Sequence, residues 1–266
     1  MRIKQILRIV MVLILLFFSV TEHNSISQIV VGLDNWYNKE TNAKTGKAFH
    51  YLWTDSADSG YSKWGDIFTS KGAILTTMGK PTFTSLNKVD IYIIADPDTT
   101  TESAYPNYIA AADIKAIKQW VWWGGVFVVF ANDGPNCEFT HLNMLMKELG
   151  MSFNHVTLHN VSGTNFETGA SNDLPEHQLF KDVSKIFIKE VSDINLSGTA
   201  TAILREDGKT LIAENKYGKG YVFAIGDPWI YNEYIHHDRL PEDFENMKAA
   251  ENLTDILLSY VKKKKK

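Results

Sequence analysis

The sequence predicts an α/β fold in which a mostly parallel sheet is covered by helices on both faces. The strongest evidence is the apolar run at residues 126–131, which follows Gly124-Gly125 and stops at Asn132. A short β-branched and aromatic run between turn signals is typical of a strand buried on both faces, and such strands belong mostly to parallel sheets. Helical and strand patterns alternate up to Gly150, and antiparallel patterns follow. This order predicts a flavodoxin-like fold with a late antiparallel portion.

The remaining elements follow from apolar periodicity and turn signals, taken in chain order. Strands are predicted at residues 28–33, 73–77, 89–95, 152–161, 186–191, 199–205, 210–215 and 220–225. Helices are predicted at residues 61–70, 108–123, 139–149 and 241–262. Asp207-Gly208 is a strong turn signal, so it predicts a hairpin between the strands on either side. The aromatic end of the second helix, at residues 120–123, is expected in the core.

The first 27 residues have the pattern of a secretory signal peptide. Arg2, Lys4 and Arg8 precede an apolar run at residues 9–20, which is too short to favour a spanning helix. Small residues at positions 25 and 27 fit cleavage before Gln28. We therefore expect one domain at 28–266, exported to the periplasm or secreted, without a stable membrane anchor after cleavage. An uncleaved anchor is the alternative.

The charge of the chain argues against nucleic acid as a partner. The net charge is −4; without residues 1–27 it falls to −6, and without the five C-terminal lysines it falls to −11. An acidic body repels phosphate backbones. The basic tail at 262–266 is interpreted as a solvated end of the last helix. Cys137 is the single cysteine, so the chain has no internal disulfide.

Polar side chains follow four of the predicted strands, at the edge where open α/β sheets bind ligands. Asp and Asn also favour turns after any strand, so the polar residues at each strand end, here called a tip, could either form a turn or bind a ligand. A shared site explains better why all four tips have this composition. The predicted binding residues are Asp34, Asn35, Trp36, Asp96, Asn132, Glu138, Asp227, Trp229, Tyr231, Asn232, Glu233 and Arg239.

The long aromatic loop at residues 35–60 has two interpretations of equal weight. Its rings either face a ligand such as a sugar, or cover the sheet edge and bury one another. His50 and Tyr51 of this loop are predicted as catalytic residues, together with Asp133 and His141 near the central strand. A nucleophilic Cys137 activated by His141 is disfavoured because no glycine-flanked elbow surrounds the cysteine.

Established ligand motifs are missing from the sequence. It contains no dinucleotide-binding or phosphate-binding glycine loop, no H-E-x-x-H zinc motif and no Gly-x-Ser-x-Gly elbow. The acidic tips, with Glu138 and His141, offer oxygen ligands suited to calcium or magnesium, but their spacing matches no loop signature. The sequence therefore predicts no cofactor, with a divalent cation such as calcium as the open alternative.

Five segments together resemble one known family: LDNWYNKE, FHYLWTDSADSGYSKWG, IADPDT, ANDGPNCEFTHLN and AIGDPWIYNEY. They are similar to the flavodoxin-like domain attached to unsaturated glucuronyl and rhamnogalacturonyl hydrolases of polysaccharide-degrading Bacteroidetes. The wider relatives of that domain are class I glutamine-amidotransferase-like and ThuA-like domains. The resemblance covers nearly all of residues 28–260. The barrel domain of the hydrolases is absent from this sequence.

The resemblance implies work on uronic-acid oligosaccharides. Free-standing members resemble ulvan oligosaccharide dehydratases, lyases that remove water across C4–C5 of a saturated uronic acid for a partner unsaturated uronyl hydrolase. Such chemistry needs a base, for which His50, His141 or Tyr51 is the candidate, and an Asp or Glu acid. Arg239, a lysine or a metal would take the charge that develops on the substrate carboxylate. The alternatives are a non-catalytic carbohydrate-binding accessory module and a glycoside hydrolase.

Overall fold

The structure is a computed structural model that describes residues 28–42, 44–57 and 59–264. The strands are β1 (Val30–Asp34), β2 (Ile74–Met78), β3 (Ile91–Ala95), β4 (Val126–Phe130), β5 (Met151–Phe153), β6 (Ala170–Ser171), β7 (Ile186–Phe187), β8 (Ile194–Leu196), β9 (Thr201–Glu206), β10 (Lys209–Tyr217) and β11 (Gly220–Ile225). The helices are α1 (Ser62–Ser70), α2 (Phe83–Leu86), α3 (Ala111–Trp122), α4 (Phe139–Glu148) and α5 (Asn246–Lys264). The predicted signal peptide at 1–27 lies outside the described residues.

The main sheet has seven strands in the order β2-β1-β3-β4-β11-β10-β9. The first five strands of this order pair in parallel, whereas β10 pairs antiparallel with both β11 and β9. The chain runs outward from β1 in one direction to β2 and in the other direction through β3 and β4. This doubly wound order confirms the predicted flavodoxin-like α/β fold with its late antiparallel portion.

Each face of the sheet is covered by its own helices and forms its own core. Alternate residues of β4 point to opposite faces, so Val128 and Phe130 pack with α1 and α5 while Phe127 and Val129 pack with α3 and α4. Every residue of β3, β4 and β11 is buried. Strands that are covered on both sides need uninterrupted apolar runs, which is why these three segments were predicted from the sequence.

The second half of the chain differs from the prediction in its small strands. The strand predicted at 152–161 is reduced to β5, and the strand predicted at 186–191 is reduced to β7. The Asn143 side chain bonds both backbone groups of Phe153, and beyond this point only an isolated bridge, Leu158 to Val191, continues the pairing. These segments pair over only two or three residues, so the alternating sequence pattern predicted strands that are longer than the observed ones. The sequence also missed α2 and β8.

Two helix predictions also need correction. The last helix begins at Asn246 instead of 241, because the Asn246 side chain is bonded to Phe187 and Ile230 and the preceding residues form a turn. Trp122 and Trp123, expected in the core, are 54% and 50% exposed. Among the described residues, no helix combines the length and apolar character that crossing a membrane requires.

Phe130 at the end of β4 is the most informative test of this core. Its ring contacts Trp64, Tyr61, Phe223 and Tyr231 and is fully buried. We expect Phe130→Ala to lower the free energy of unfolding by about 3–5 kcal/mol, measured by urea denaturation, because the cavity cannot collapse among large rings.

The exposed residue Met144, on α4, provides the control. Met144→Ala is expected to change the free energy of unfolding by less than about 0.5 kcal/mol. A loss below about 1 kcal/mol for Phe130→Ala would contradict the described packing.

Candidate functional site

The register of the three central strands places their polar tips side by side. Ala95 of β3 pairs with Phe130 of β4, and Phe130 pairs with Ile225 of β11. The next residues continue the ladder, because the Asp96 N–H donates to the Phe130 carbonyl at 2.7 Å. The tips that carry Asp96, Asn132 and Asp227 therefore share one edge of the sheet.

Asp96 is one of the buried carboxyl groups at this edge. It is 3% exposed, and its Oδ2 accepts a hydrogen bond from Asn132 Nδ2 at 2.9 Å. Oδ1 is buried without a hydrogen bond of good geometry, although the Tyr51 hydroxyl lies beside the carboxyl group. Loss of hydration, and next the charge of Glu102, raise the pKa of Asp96 well above its ordinary value. Asp96 thus lacks a compensating positive charge.

Two loops bring further carboxylates to Asp96. Glu40, from the long aromatic loop, and Glu102, from the loop after β3, each place a carboxylate oxygen so that the three groups lie within 4.8 Å of one another. Glu102 is held by the Thr99 N–H and hydroxyl, both at 2.8 Å. Glu40 and Glu102 are partly exposed, so solvent reaches the cluster. We call Glu40, Asp96 and Glu102 the carboxylate cluster.

Asp98 lies next to this cluster and is 1% exposed. Its Oδ2 accepts the Lys39 N–H at 3.0 Å, while its Oδ1 is buried without a partner. Burial raises the pKa of Asp98 to about 7, and the charges of Glu40 and Glu102 add to this effect. The acidic group at this edge therefore extends beyond the cluster itself.

A histidine and two aromatic rings border the cluster. His50 Nδ1 lies 2.7 Å from Glu40 Oε1. The His50 ring lies 5.6 Å from the Tyr51 ring and 6.5 Å from the Trp229 ring, centre to centre. Burial, and next the charge of Asp96, raise the pKa of Tyr51 well above its ordinary value, so its phenol stays uncharged and can donate a hydrogen bond. An imidazole–carboxylate pair thus lies beside two aromatic rings at this edge of the sheet.

The backbone at this site adopts uncommon conformations. His50, Tyr51 and Asp96 have φ angles of 65°, 47° and 45°. Positive φ is uncommon outside glycine, and for a bulky residue such as tyrosine it is strained by about 1–3 kcal/mol. Such strain persists only where the surroundings enforce it, and it concentrates at functional sites. Three strained residues around one cluster support a functional role for this edge.

The tip of β11 supports the aromatic border. Asp227 Oδ1 accepts the Trp229 N–H at 2.7 Å and Oδ2 accepts the Lys189 N–H at 3.0 Å. The Lys189 ammonium lies 4.4 Å from the centre of the Trp229 ring. Gly226 precedes this tip, and a Cβ there would lie 1.9 Å from the Ser192 carbonyl, so only glycine fits. Asp227 therefore organises the tip and positions a cation against Trp229.

Two predicted site residues serve as turn organisers. Asp34 Oδ1 accepts the Tyr92 hydroxyl at 2.6 Å, and its Oδ2 accepts backbone N–H groups of residues 36–38. Burial raises the pKa of Asp34 to about 6. Asp133, a predicted catalytic residue, accepts Asn136 Nδ2 at 2.6 Å and the Thr157 hydroxyl at 2.7 Å. These bonds engage both oxygens of each group, which matches the turn interpretation of these tips.

Glu138 and His141 form a second pair beside the cluster. Glu138 caps α4 by accepting the His141 N–H, and its Oε1 lies 3.0 Å from His141 Nδ1. The His141 ring stacks on Tyr108 at 4.6 Å. Burial raises the pKa of the Cys137 thiol well above its ordinary value, so the disfavoured thiolate nucleophile has no support. In the described residues, no hydrogen bond or ion pair joins this pair to the carboxylate cluster.

The other predicted binding residues lie away from the cluster. Asn35 bonds the Asn38 carbonyl, Trp36 faces Lys39 and its carbonyl accepts Asn107, and Tyr231 packs in the core against Trp64. Asn232 is buried with both polar atoms unpaired, and it borders a separate small cavity with the exposed Arg239. Glu233 begins a short 3₁₀ helix, and its side chain lies outside the described part of the structure.

The sequence interpretation missed Glu40, Asp98, Glu102 and Lys189. Glu40 lies in the aromatic loop, for which a ligand-facing role is one of two interpretations, and Asp98 and Glu102 lie in the loop that follows Asp96. The loop after β3 gave a signal, because Asp98 and Glu102 follow Asp96 closely in the sequence. The aromatic loop gave none, because residues 35–60 contain three lysines and three acidic residues. The aromatic loop also buries Tyr37 and Tyr51, so it covers the sheet edge while it contributes to the site. The covering interpretation of that loop is therefore confirmed for these two rings, and the ligand-facing interpretation stays a prediction.

Comparison with solved structures supports the fold. The mmIFT52 N-terminal domain matches with a TM-score of 0.63 and 15% identity, covering 88% of this chain and 97% of that chain. The cytoplasmic protein STM1381 from Salmonella typhimurium LT2 matches with a TM-score of 0.56 and 13% identity, covering 87% and 99%. Identities this low show the fold alone.

A putative ThuA-like protein from Bacteroides uniformis also matches, with a TM-score of 0.45 and 13% identity over 88% of this chain and 91% of that chain. No family model matches the sequence. No curated protein matches it either.

The raised pKa of Asp227 predicts a pH-dependent contribution to stability. Burial raises this pKa from 3.8 to about 7, against the opposing effect of its two backbone hydrogen bonds. The folded state therefore binds more protons than the unfolded state between these values, and stability falls as pH rises through this range. Relative to Asp227→Asn, the wild-type protein should lose at most about 4 kcal/mol between pH 4 and pH 7.5, measured by urea denaturation.

Asp255→Asn serves as the control, because the Asp255 side chain is 64% exposed and solvated. We expect no comparable slope for it. A constant difference between the wild-type protein and Asp227→Asn over the whole pH range would show that burial does not perturb this carboxyl group.

Proposed function

We propose that the chain is a carbohydrate-active lyase that removes water from a saturated uronic acid at the non-reducing end of an oligosaccharide. The product is a 4,5-unsaturated uronyl end, the form that an unsaturated uronyl hydrolase acts on. In this proposal the chain acts after export, in the periplasm, on ulvan-type oligosaccharides. The observation that carries the proposal is the His50–Glu40 pair, bordered by Tyr51 and Trp229 at the carboxyl edge of the sheet.

His50 is the proposed base. A hydrogen bond from Nδ1–H to Glu40 fixes the tautomer and leaves the Nε2 lone pair to accept the C5 proton, which is acidified by the neighbouring carboxylate of the substrate. The imidazolium then returns this proton to the departing C4 hydroxyl, so that water leaves and the enzyme regains its starting state. In this scheme the imidazolium takes the place of the Asp or Glu acid expected from the sequence.

The surrounding groups have positioning roles in this scheme. Tyr51 keeps an uncharged phenol beside Asp96 and supports the ring of Trp229, whose face offers an apolar surface on which the C–H groups of a sugar ring can pack. The Lys189 ammonium beside Trp229 favours the negative charge that develops on the substrate carboxylate. Of the predicted bases, His141 is stacked on Tyr108 and paired with Glu138, and it is assigned no role in the reaction.

Mass spectrometry on a panel of saturated uronyl oligosaccharides, including ulvan-derived ones, tests the activity directly. We expect loss of one water at unchanged chain length, together with ultraviolet absorbance from the conjugated uronate. Binding measured by calorimetry without any mass change would replace the lyase with a carbohydrate-binding accessory module. A new reducing end for each bond cut would replace it with a glycoside hydrolase.

Substitution of His50 tests the assigned base. His50→Ala should lower kcat/KM for dehydration by about 10²–10⁴-fold, with little change in melting temperature, because it removes general-base catalysis. His177→Ala is the matched control, since His177 also faces a glutamate, Glu214, at 3.9 Å, but beside β10. His177→Ala should keep its kcat/KM. Equal activity of both variants would refute the role of His50.

A further inference from the structure

The carboxylate cluster concentrates negative charge without a positive partner from the protein. Three carboxylate oxygens lie within 4.8 Å of one another, and Asp98 lies alongside. Among the ion pairs of the described residues, none joins a lysine or arginine to any of these four groups; the only cationic partner is His50, if protonated. Like charges at this distance repel strongly where burial has removed water. Such an arrangement is relieved either by bound protons or by a cation that supplies the counter-charge.

Buried oxygen atoms around the cluster are also left without hydrogen bonds. Asp98 Oδ1 has no hydrogen-bond partner, and Asp96 Oδ1 has no bond of good geometry although the Tyr51 hydroxyl lies beside its carboxyl group; both residues are at most 3% exposed. Asn38 bonds the Asp96 carbonyl through Nδ2 at 2.8 Å, while its own buried Oδ1 has no partner. An unsatisfied buried polar atom costs about 1–3 kcal/mol. All three orphaned atoms are oxygens, so together they call for a donor or a cation.

We propose that Glu40, Asp96 and Glu102 bind a hard divalent cation, with calcium as the best-fitting ion. Calcium takes six to eight oxygen ligands at about 2.3–2.6 Å, so oxygens within 4.8 Å of one another fit around one ion without large movement. Magnesium demands stricter octahedral geometry. Asp98 lies close enough to add negative charge to the site, and water completes the coordination.

The surroundings would hold the ligands in place. The Thr99 N–H and hydroxyl fix Glu102, Asn132 fixes Asp96, and His50 fixes Glu40 through a 2.7 Å bond. Such outer contacts orient carboxylate ligands and raise metal affinity. The cation site stands on these side chains alone and does not depend on the lyase activity. If both hold, the ion would attract the carboxylate of a uronic acid, which an unoccupied acidic cluster would repel.

Calcium titration of chelator-treated protein by isothermal calorimetry tests the site. We expect one calcium per chain. The melting temperature should rise by about 5 °C or more when free calcium is 100 times Kd, because the ion binds only the folded state. Glu102→Gln should weaken calcium binding at least tenfold. It should also raise the melting temperature of the metal-free protein, because it removes one repelling charge.

Glu148→Gln is the matched control, because this half-exposed glutamate is the last residue of α4 and pairs with Lys118 instead of the cluster. It should bind calcium like the wild-type protein. Absence of binding up to about 10 mM calcium, or equal affinity of Glu102→Gln and the wild-type protein, would overturn the site. Calcium binding without dehydration would leave the cation site standing and remove the lyase. Dehydration that persists in the presence of a chelator, without calcium binding, would leave the lyase standing and remove the cation site.

Discussion

The mutual repulsion of carboxylates gathered around the buried Asp96 is the constraint that sets the carboxyl edge of the sheet apart from the rest of the structure. Asp96 enters the edge because β3 ends one residue earlier, between β1 and β4. Glu40 and Glu102 reach it from separate loops. A fold selected only for stability would keep these groups apart or pair them with lysine or arginine. Their convergence is the observation on which the proposed cation site rests.

The rest of the edge is built to enforce this arrangement. Large rings from α1, β4 and the segment after β11 pack under the cluster, and Tyr61 bonds the Pro228 carbonyl at 2.7 Å. This rigid layer holds His50, Tyr51 and Asp96 in left-handed backbone conformations that would relax in a looser setting. The favourable packing of the two cores thus offsets the strain of this backbone geometry. The same rigidity would pre-organise a base, a hydrogen-bond donor and the carboxylates around one ligand.

The sequence predicted the frame better than the site. Continuous apolar runs marked β3, β4 and β11, because strands covered on both faces have no polar positions. The polar residues after each strand were found because each apolar run ends abruptly at them. However, polar residues that organise a turn and polar residues that face a ligand have the same composition. Asp34 and Asp133 have their oxygens engaged by turn and loop hydrogen bonds, whereas Asp96 keeps one oxygen unpaired. Glu40 could not be predicted, since only the folded path of its loop brings it to Asp96.

Anomalous X-ray diffraction from a crystal soaked with terbium, a calcium analogue, tests most directly whether this edge is a ligand site. We expect one strong anomalous peak within about 2.3–2.6 Å of carboxylate oxygens of Glu40, Asp96 and Glu102, with little movement of the backbone around it. Peaks confined to exposed acidic residues elsewhere, with the cluster unchanged, would contradict the account. The converging carboxylates would then be repelling groups that the fold tolerates without a ligand.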